Sequence, residues 1–584
     1  MAFYSCDFET TTDPEDVRVW AWGAYEIYTG KWFEGNDIDS FMKWMFELEA
    51  PFMSFHNEKF DGEFILHWLL THGFEWTKTH EGNKRKRLEV NQFETLISDM
   101  GQFYTITVAL PSHNKKGKSV NRARIQDSLK KLPFSVKSIA KAFKMDVRKG
   151  EIDYNKVRPV GYKMDEFERS YLFRDCKIAG DALKIQFDQG LDHLTAGSDA
   201  LHTFLEMYGK KKFRRHFPVL TPEVDKFVRN AYRGGWTYLK PEYAGKVVYE
   251  GDVYDVNSLY PWAMRNNPMP WGYPVYYSGR YKDTEEFPLY IQCISCAFDI
   301  KPGRLPTVQI KHSAFYRGNE YLTKSEGDVI LYLTSVDLAL FFDQYDVYNL
   351  QYIDGFMFRS LDGVFSEYID KYMEQKANSS GALRQLAKLL LNSLYGKFAT
   401  RIDVQGKVPY LGDDNIVHYK PDDPEEREPI YTPIACFVTA YARNKTIRTA
   451  QEVYDRFIYA DTDSIHMLDG EVVPFTVHPS DLGAWKHESH FVKAKFLQQK
   501  RYVEVMEMTE EEYNKAKEDP DFENNLMTEN EKYYEVNIKC AGMPHDAKRE
   551  VTFENFEIGK TFIRLHPVHK PGGLVLVERT FELK

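Results

Sequence analysis

Two short acidic motifs, about two hundred residues apart, constrain this chain more than anything else in it: Asp255-Val256-Asn257-Ser258-Leu259-Tyr260-Pro261 and Tyr459-Ala460-Asp461-Thr462-Asp463-Ser464. Each follows an apolar run of strand type, Gly251-Asp252-Val253-Tyr254 or Arg456-Phe457-Ile458-Tyr459, so the carboxylates should emerge at strand ends. On a continuous strand Asp461 and Asp463 would share a face, and in a tight hairpin both would crowd its tip. Either arrangement is a costly cluster of negative charge unless a cation neutralises it. Mg²⁺ is a hard ion held by carboxylates plus substrate phosphates, so acidic residues gathered from distant strands suit a two-metal nucleotidyl-transfer centre. Alone, Asp-Thr-Asp would serve equally as an ordinary turn.

Between these motifs lies Lys388-Leu389-Leu390-Leu391-Asn392-Ser393-Leu394-Tyr395-Gly396. At helical spacing Arg384, Lys388, Asn392 and Tyr395 fall on one face, while Leu386, Leu389, Leu390 and Leu394 supply the apolar remainder. Such a stripe suits a triphosphate with a base stacked behind it, and a solvated helix face is the alternative. The N-terminus repeats the acidic theme. Tyr4-Ser5-Cys6-Asp7-Phe8-Glu9-Thr10 sets Asp7 and Glu9 on one strand face. His56-Asn57-Glu58-Lys59-Phe60-Asp61-Gly62 and Tyr171-Leu172-Phe173-Arg174-Asp175 add two more carboxylates, with Tyr171 and Asp175 one helical turn apart. Four carboxylates from three segments propose a second two-metal site.

In their order, DVNSLYP, KLLLNSLYGK and YADTDS resemble motifs A, B and C of the family B DNA polymerases, and Lys500-Arg501-Tyr502 resembles the family's primer-binding KxY element. The N-terminal segments resemble the Exo I, Exo II and Exo III motifs of the DnaQ-like 3′–5′ exonucleases these polymerases carry. Within the family the chain is most similar, from residue 1 to residue 584, to the protein-primed polymerases of small tailed Bacillus phages.

The resemblance implies an α/β and α+β multidomain fold: a DnaQ-like (RNase H-like) exonuclease domain and a right-hand polymerase of palm, fingers and thumb, with two subgroup-specific insertions. It implies that Asp255 and Asp463 are the principal polymerase metal ligands, assisted by the Val256 carbonyl and Asp461, with two Mg²⁺ or Mn²⁺ at each centre and dNTP substrates. Tyr260 would lie beneath the sugar and exclude a 2′-hydroxyl. Lys376 and Lys388 would neutralise the triphosphate, beside Asn392, and Tyr395 would pack on the nascent base pair. At the second centre Asp7, Glu9, Asp61 and Asp175 would hold metal and Tyr171 would orient the attacking water. Lys149 would steady charge on the scissile phosphate. Asn57, Phe60, Ser128 and Leu129 would contact a single-stranded 3′ end. Tyr232-Arg233-Gly234-Gly235 resembles the YxGG element between the two activities, its glycines letting backbone approach DNA. Thr439 and Arg443 resemble a further primer-template element, and Lys500 and Tyr502 would hold the primer end.

Composition is that of a globular protein: 584 residues, 43% hydrophobic and 15% aromatic, enough for three or four cored domains. No apolar stretch approaches the roughly 18 residues of a membrane span, and Met1-Ala2-Phe3 leads straight into a strand, leaving no room for a signal peptide. The expected location is the cytoplasm, that of the host cell for a phage-encoded chain. The net charge of −11 argues at first against a DNA partner, yet Lys210-Lys211-Lys212-Phe213-Arg214-Arg215 and Lys84-Arg85-Lys86-Arg87 are compact basic runs. Six cysteines in so long a chain indicate a reducing compartment, and the lone pair Cys293 and Cys296 reads as structural.

The expected order is an exonuclease over 1–185, with strands first and helices after Leu132, then connector and first palm segment over 186–265. A first insertion covers 266–363 as many short aromatic-rich strands, fingers cover 364–400, and a second insertion covers 401–428 with a hairpin. Palm resumes over 429–535 and thumb over 536–584. The resemblance implies that the insertions contact a priming terminal protein, the duplex and the template, giving a processive, strand-displacing monomer that acts on primer-template and single-stranded DNA. Two rivals remain open: a DNA-binding scaffold that has lost catalysis, and a family B enzyme that needs no terminal protein.

Overall fold

The computed structural model describes residues 2–584 apart from 82–83, 114–119, 146–151, 155, 310–320, 471 and 518–524. Lys149 and the middle of the acidic 508–531 stretch lie outside the described residues.

The N-terminal sheet has eight strands in the order Trp32–Gly35, Val19–Glu26, Phe3–Thr10, Phe52–Phe55, Val120–Asp127, Phe103–His113, Gln92–Ile97 and Glu75–Trp76. Phe3–Thr10 runs parallel to Phe52–Phe55, which runs parallel to Val120–Asp127, so three strand ends open on the same edge. Every residue of Val19–Glu26 is buried, because the helices Ile38–Glu47 and Glu166–Asp188 both pack on it. Gly23 sits where a Cβ would meet the Trp32 ring at 2.2 Å, so only glycine admits that indole. Two helices, Ile38–Glu47 and Glu58–Thr71, precede Leu132, against the expectation of strands first. The Phe41, Met42 and Met45 face of the earlier one fills the sheet's other side.

A second eight-stranded sheet, antiparallel throughout, collects Thr237–Leu239, Phe457–Asp461, Ser464–Leu468, Val247–Val256, Trp485–Gln498, Arg501–Met508, Lys532–Cys540 and Leu526–Glu529 in that order. Strands from 237–256 and from 457–540 therefore share one sheet. Lys532–Cys540 pairs along its whole length with Arg501–Met508, so a palm–thumb division after 535 would cut a continuous strand. Thr432–Glu452 is buried nearly all round, which explains a helix with little polar face.

The region expected as a first insertion folds as a four-stranded antiparallel sheet of Met269–Ser278, Tyr345–Leu361, Leu289–Ile300 and Val329–Thr334. Its strands are long rather than short, the longest having 17 residues, and bulges bend it within its pairing to Leu289–Ile300. Lys407–Leu411 and Val417–Pro421 form the hairpin expected in the second insertion. Ser366–Asn378 and Gly381–Ser393 form an antiparallel helical pair between the insertions. Thr561–Lys570 and Gly573–Glu582 close the chain as a long hairpin. Among the described residues no helix is long and apolar enough to cross a membrane.

Two candidate active sites

Asp255 is the penultimate residue of Val247–Val256 and lies opposite Ser464 in the antiparallel pairing. The turn between Phe457–Asp461 and Ser464–Leu468 holds only Thr462 and Asp463, and Thr462 takes the left-handed conformation at φ 65°. Its N–H donates to the Trp236 carbonyl at 2.8 Å, and its own carbonyl accepts the Thr446 hydroxyl at 2.9 Å. The Val256 N–H donates to the Asp463 carbonyl at 2.8 Å, which locks strand end to hairpin tip. Asp461 and Asp463 thus crowd a tight turn. Burial, followed by the negative charges of Asp463 and Glu488, pushes the Asp255 carboxyl up to about 7, although Lys486 and Lys388 oppose them. Asp463 is raised as well, first by burial.

The helix Gly381–Ser393 buries Leu386, Ala387, Leu390 and Leu391 and leaves Arg384, Lys388 and Asn392 exposed, so the basic and amide stripe is present. Lys376, from the preceding helix, reaches the Ser258 hydroxyl at 3.1 Å. Its pKa is lowered by burial and then by Lys388 and Arg384, while Asp255 pulls the other way. Cations of the helical pair therefore face the palm carboxylate. Tyr260 and Tyr395 stack on each other with centroids 3.9 Å apart and planes at 15°, so no base fits between the rings. The Lys500 ammonium lies 2.7 Å from Asp461 Oδ1, while its backbone N–H donates to the Tyr459 hydroxyl at 2.9 Å. Tyr502 is buried beside Tyr459 and His466, which leaves Lys500 as the exposed member of the KxY pair.

At the N-terminal sheet, Asp7 and Glu9 come from Phe3–Thr10 and Asp61 from the first turn of Glu58–Thr71. Tyr171 and Asp175 come from Glu166–Asp188, a helix started by a capping box between Asp165 and Glu168. Asp61 is raised well above the usual carboxylate range, first by burial and then by the charges of Asp7 and Glu9. The Tyr171 phenol is also held neutral, by burial and then by Asp175 and Glu9, and its hydroxyl lies 3.2 Å from that of Tyr154. A cavity of about 250 Å³ opens beside them, lined by Cys6, Asp7, His56, Asp175 and Cys176. Phe60 is half-buried and Asn57 exposed at the mouth of this sheet edge.

Several expected DNA contacts turn inward instead. Thr439 is fully buried and donates its hydroxyl back to the Ala435 carbonyl at 3.0 Å. Arg443, also buried, donates to the carbonyls of Arg233 and Gly234 at 2.7 and 2.8 Å. Ser128 is buried with its hydroxyl 2.9 Å from His56 Nδ1. Each is satisfied internally, so it acts on a ligand only through what it holds. Gly235 has a protein reason for lacking a side chain, because its Cβ would meet Thr462 at 2.5 Å. Arg233 donates to the Tyr332 carbonyl at 2.8 Å. Sequence reasoning gave no role to Glu488 or to Tyr154: an exposed glutamate among polar neighbours, and a tyrosine at the end of the segment that carries Lys149, have no local signal of their own.

Two acidic centres on two sheets of one chain define a class, the nucleic-acid polymerases that carry their own nuclease. The family model for DNA polymerase type B, organellar and viral, matches residues 44–481. The DNA polymerase of Bacillus phage phi29 is 47% identical over 100% of this chain and 99% of its own. That of Streptococcus phage Cp-1 is 34% identical over 100% of this chain and 98% of its own. The structure of phi29 DNA polymerase complexed with primer-template DNA and incoming nucleotide substrates matches with a TM-score of 0.90 at 45% identity, covering 100% of both chains. The chain belongs to the type B DNA polymerases of organellar and viral kind, and it is a DNA-directed DNA polymerase joined to a proofreading exonuclease domain.

Proposed function

We propose that this polymerase is protein-primed, processive and strand-displacing, replicates a linear phage-type genome, and binds two Mg²⁺ or Mn²⁺ at each acidic centre. The observation that carries the catalytic part is the crowding of Asp255, Asp461 and Asp463 at one sheet edge, with Asp255 pushed up to about 7. The donor set fits the metal: hard carboxylate oxygens from two strand ends, in a site partly open to solvent. When bound there, such ions supply Lewis-acid activation of the primer hydroxyl and charge stabilisation of the leaving diphosphate.

The chain's own residues do the rest. Asp255 and Asp463 would be the principal ligands, with Asp461 and the Val256 carbonyl assisting. Lys376 and Lys388 would offset triphosphate charge, with Asn392 on the same helix. Tyr260 and Tyr395 would form the floor against which the sugar and nascent base pair pack. Lys500, bridging from Asp461, would hold the primer end, with Tyr502 as its buried support. At the second centre Asp7, Glu9, Asp61 and Asp175 would be ligands, Tyr171 would orient water, and Lys149 would assist at the phosphate. Asn57, Phe60 and Leu129 would meet an unpaired 3′ end, where an aromatic ring can stack on a base.

The partner reading follows the relatives: phi29 DNA polymerase has been seen with primer-template DNA and with single-stranded DNA. Cytoplasm is the proposed compartment, supported by six free, buried cysteines and by phage relatives, and the working state is a monomer. Incubation with a cognate terminal protein, labelled dNTP and Mg²⁺ tests the priming claim. The expected product is a nucleotide covalently attached to a protein hydroxyl. Extension of DNA primers with no such adduct would favour the nucleic-acid-primed rival.

A further inference from the structure

The two segments expected to meet an unpaired 3′ end converge on a single carboxylate oxygen. Asp127 Oδ1 accepts the backbone N–H of Asn57 at 3.1 Å and that of Leu129 at 2.9 Å. Asp127 ends Val120–Asp127 directly opposite Phe55 in the parallel pairing, so the two chains leave the sheet side by side. It is 1% exposed, and its bond to Leu129 is the N-cap of the short helical turn Ser128–Lys130. The Lys130 ammonium lies 3.3 Å from its other oxygen.

Asn57 stands in the left-handed conformation at φ 81°, which asparagine adopts more readily than other residues with a Cβ, and the bond to Asp127 holds it there. Its side chain does not cap the helix that begins at Glu58, and it is exposed. The amide is thus free of structural duty while the backbone beneath it is tethered. Ser128, between the tethered Leu129 and Asp127, braces the same corner by donating to the Phe55 carbonyl at 3.2 Å. Behind it Glu58 is fully buried with no hydrogen bond at either carboxyl oxygen, and burial followed by the charge of Asp127 pushes its pKa well up.

We propose that Asp127 is a positioning residue of the exonuclease centre, whose one carboxylate oxygen fixes Asn57 and Leu129 relative to each other as a cradle for an unpaired 3′ end. Its hydrogen bonds go to main chain, and its charge adds only to those of Asp7 and Glu9 on Asp61, so its loss should weaken capture of the strand more than hydrolysis. The proposal rests on reading the N-terminal centre as a 3′–5′ exonuclease.

Steady-state degradation of a 5′-labelled oligothymidylate by the full chain tests it. Asp127→Ala should raise KM about tenfold or more, the scale of losing a charge-assisted hydrogen bond, with kcat nearly unchanged. Asp127→Asn keeps an oxygen acceptor without the charge and should raise KM by only about two- to fivefold, since neutral bonds are weaker. Unchanged KM in both variants, or a fall in kcat at unchanged KM, overturns the proposal. Should the alanine variant melt early or lose DNA synthesis, the asparagine variant decides by the same KM-against-kcat criterion. Failure of the exonuclease reading is a different result: undiminished degradation by the Asp7→Ala, Glu9→Ala double variant.

Discussion

Arg443 grips Asp337 with two of its nitrogens, Nη2 standing 2.8 and 2.9 Å from the two carboxylate oxygens and Nε 3.2 Å from one of them. The pair is buried, and the remaining nitrogen holds the carbonyls of Arg233 and Gly234. Arg443 belongs to the central palm helix and Asp337 to the first insertion, while Gly234 leads to the glycine packed against the catalytic hairpin. One guanidinium therefore ties the helix Ser335–Gln344 and the segment at 233–235 to the turn that carries Asp461 and Asp463.

Arg443→Ala should destabilise this region by about 3–5 kcal/mol, because it leaves a buried carboxylate without its cation. Arg443→Lys should recover only part, since an ammonium cannot reproduce the bidentate fork. Denaturant unfolding of the three proteins measures this. An unchanged midpoint combined with lost DNA binding would instead put the guanidinium on DNA.

Glu63 Oε1 accepts the Tyr419 hydroxyl at 2.7 Å and lies 3.0 Å from His569 Nε2, so one exonuclease helix holds both the second insertion and the C-terminal hairpin. One turn on, His67 Nε2 lies 3.2 Å from the Asn415 carbonyl and 3.0 Å from the Gly572 nitrogen. Glu63→Ala should shorten products on a circular single-stranded template with a DNA trap while leaving incorporation on short templates intact. Equal product lengths would show that the node does not govern retention on DNA.

The same node sets a pH dependence. The hydrogen bond to Glu63 raises His569 above its usual value, against burial and Lys59. A raised folded-state pKa means the extra docking is fully present below the usual imidazole range and is lost as pH rises through the higher folded value. Relative product length should therefore fall from pH 6 towards pH 8, and His569→Gln should flatten that trend. A wild-type trend of the opposite sign would contradict it.

Tyr260→Val should admit ribonucleotides about 10–100-fold better, the scale on which a pocket discriminates by one group, while keeping most dNTP incorporation. Competing dATP and ATP on one template reads the ratio. An unchanged ratio would remove Tyr260 from sugar selection, leaving its stack on Tyr395 as packing alone.

The strand-end position of the acidic motifs was legible because each follows a short apolar run whose pattern is local. The hairpin at 407–421 was legible for the same reason. What the sequence hid is direction. Ser128, Thr439 and Arg443 read as DNA ligands because a hydroxyl or guanidinium looks the same whether it faces a groove or a buried carboxylate. The contact from Glu63 to Tyr419 spans 356 positions, and no local periodicity encodes it. The boundary expected after 535 falls inside Lys532–Cys540 because the alternation of that strand begins only at Val536, after an acidic stretch with little pattern of its own.

The most direct measurement is a crossed assay on one 5′-labelled primer-template with Mg²⁺, followed on a denaturing gel with and without dNTPs. The unaltered chain should extend the primer with dNTPs and shorten it without them. Asp463→Ala should lose extension by about 10²–10³-fold or more, the scale of removing an electrostatic stabiliser, while still shortening. The Asp7→Ala, Glu9→Ala variant should extend and no longer shorten. Loss of both activities in either variant, or of neither, would contradict two separate carboxylate centres.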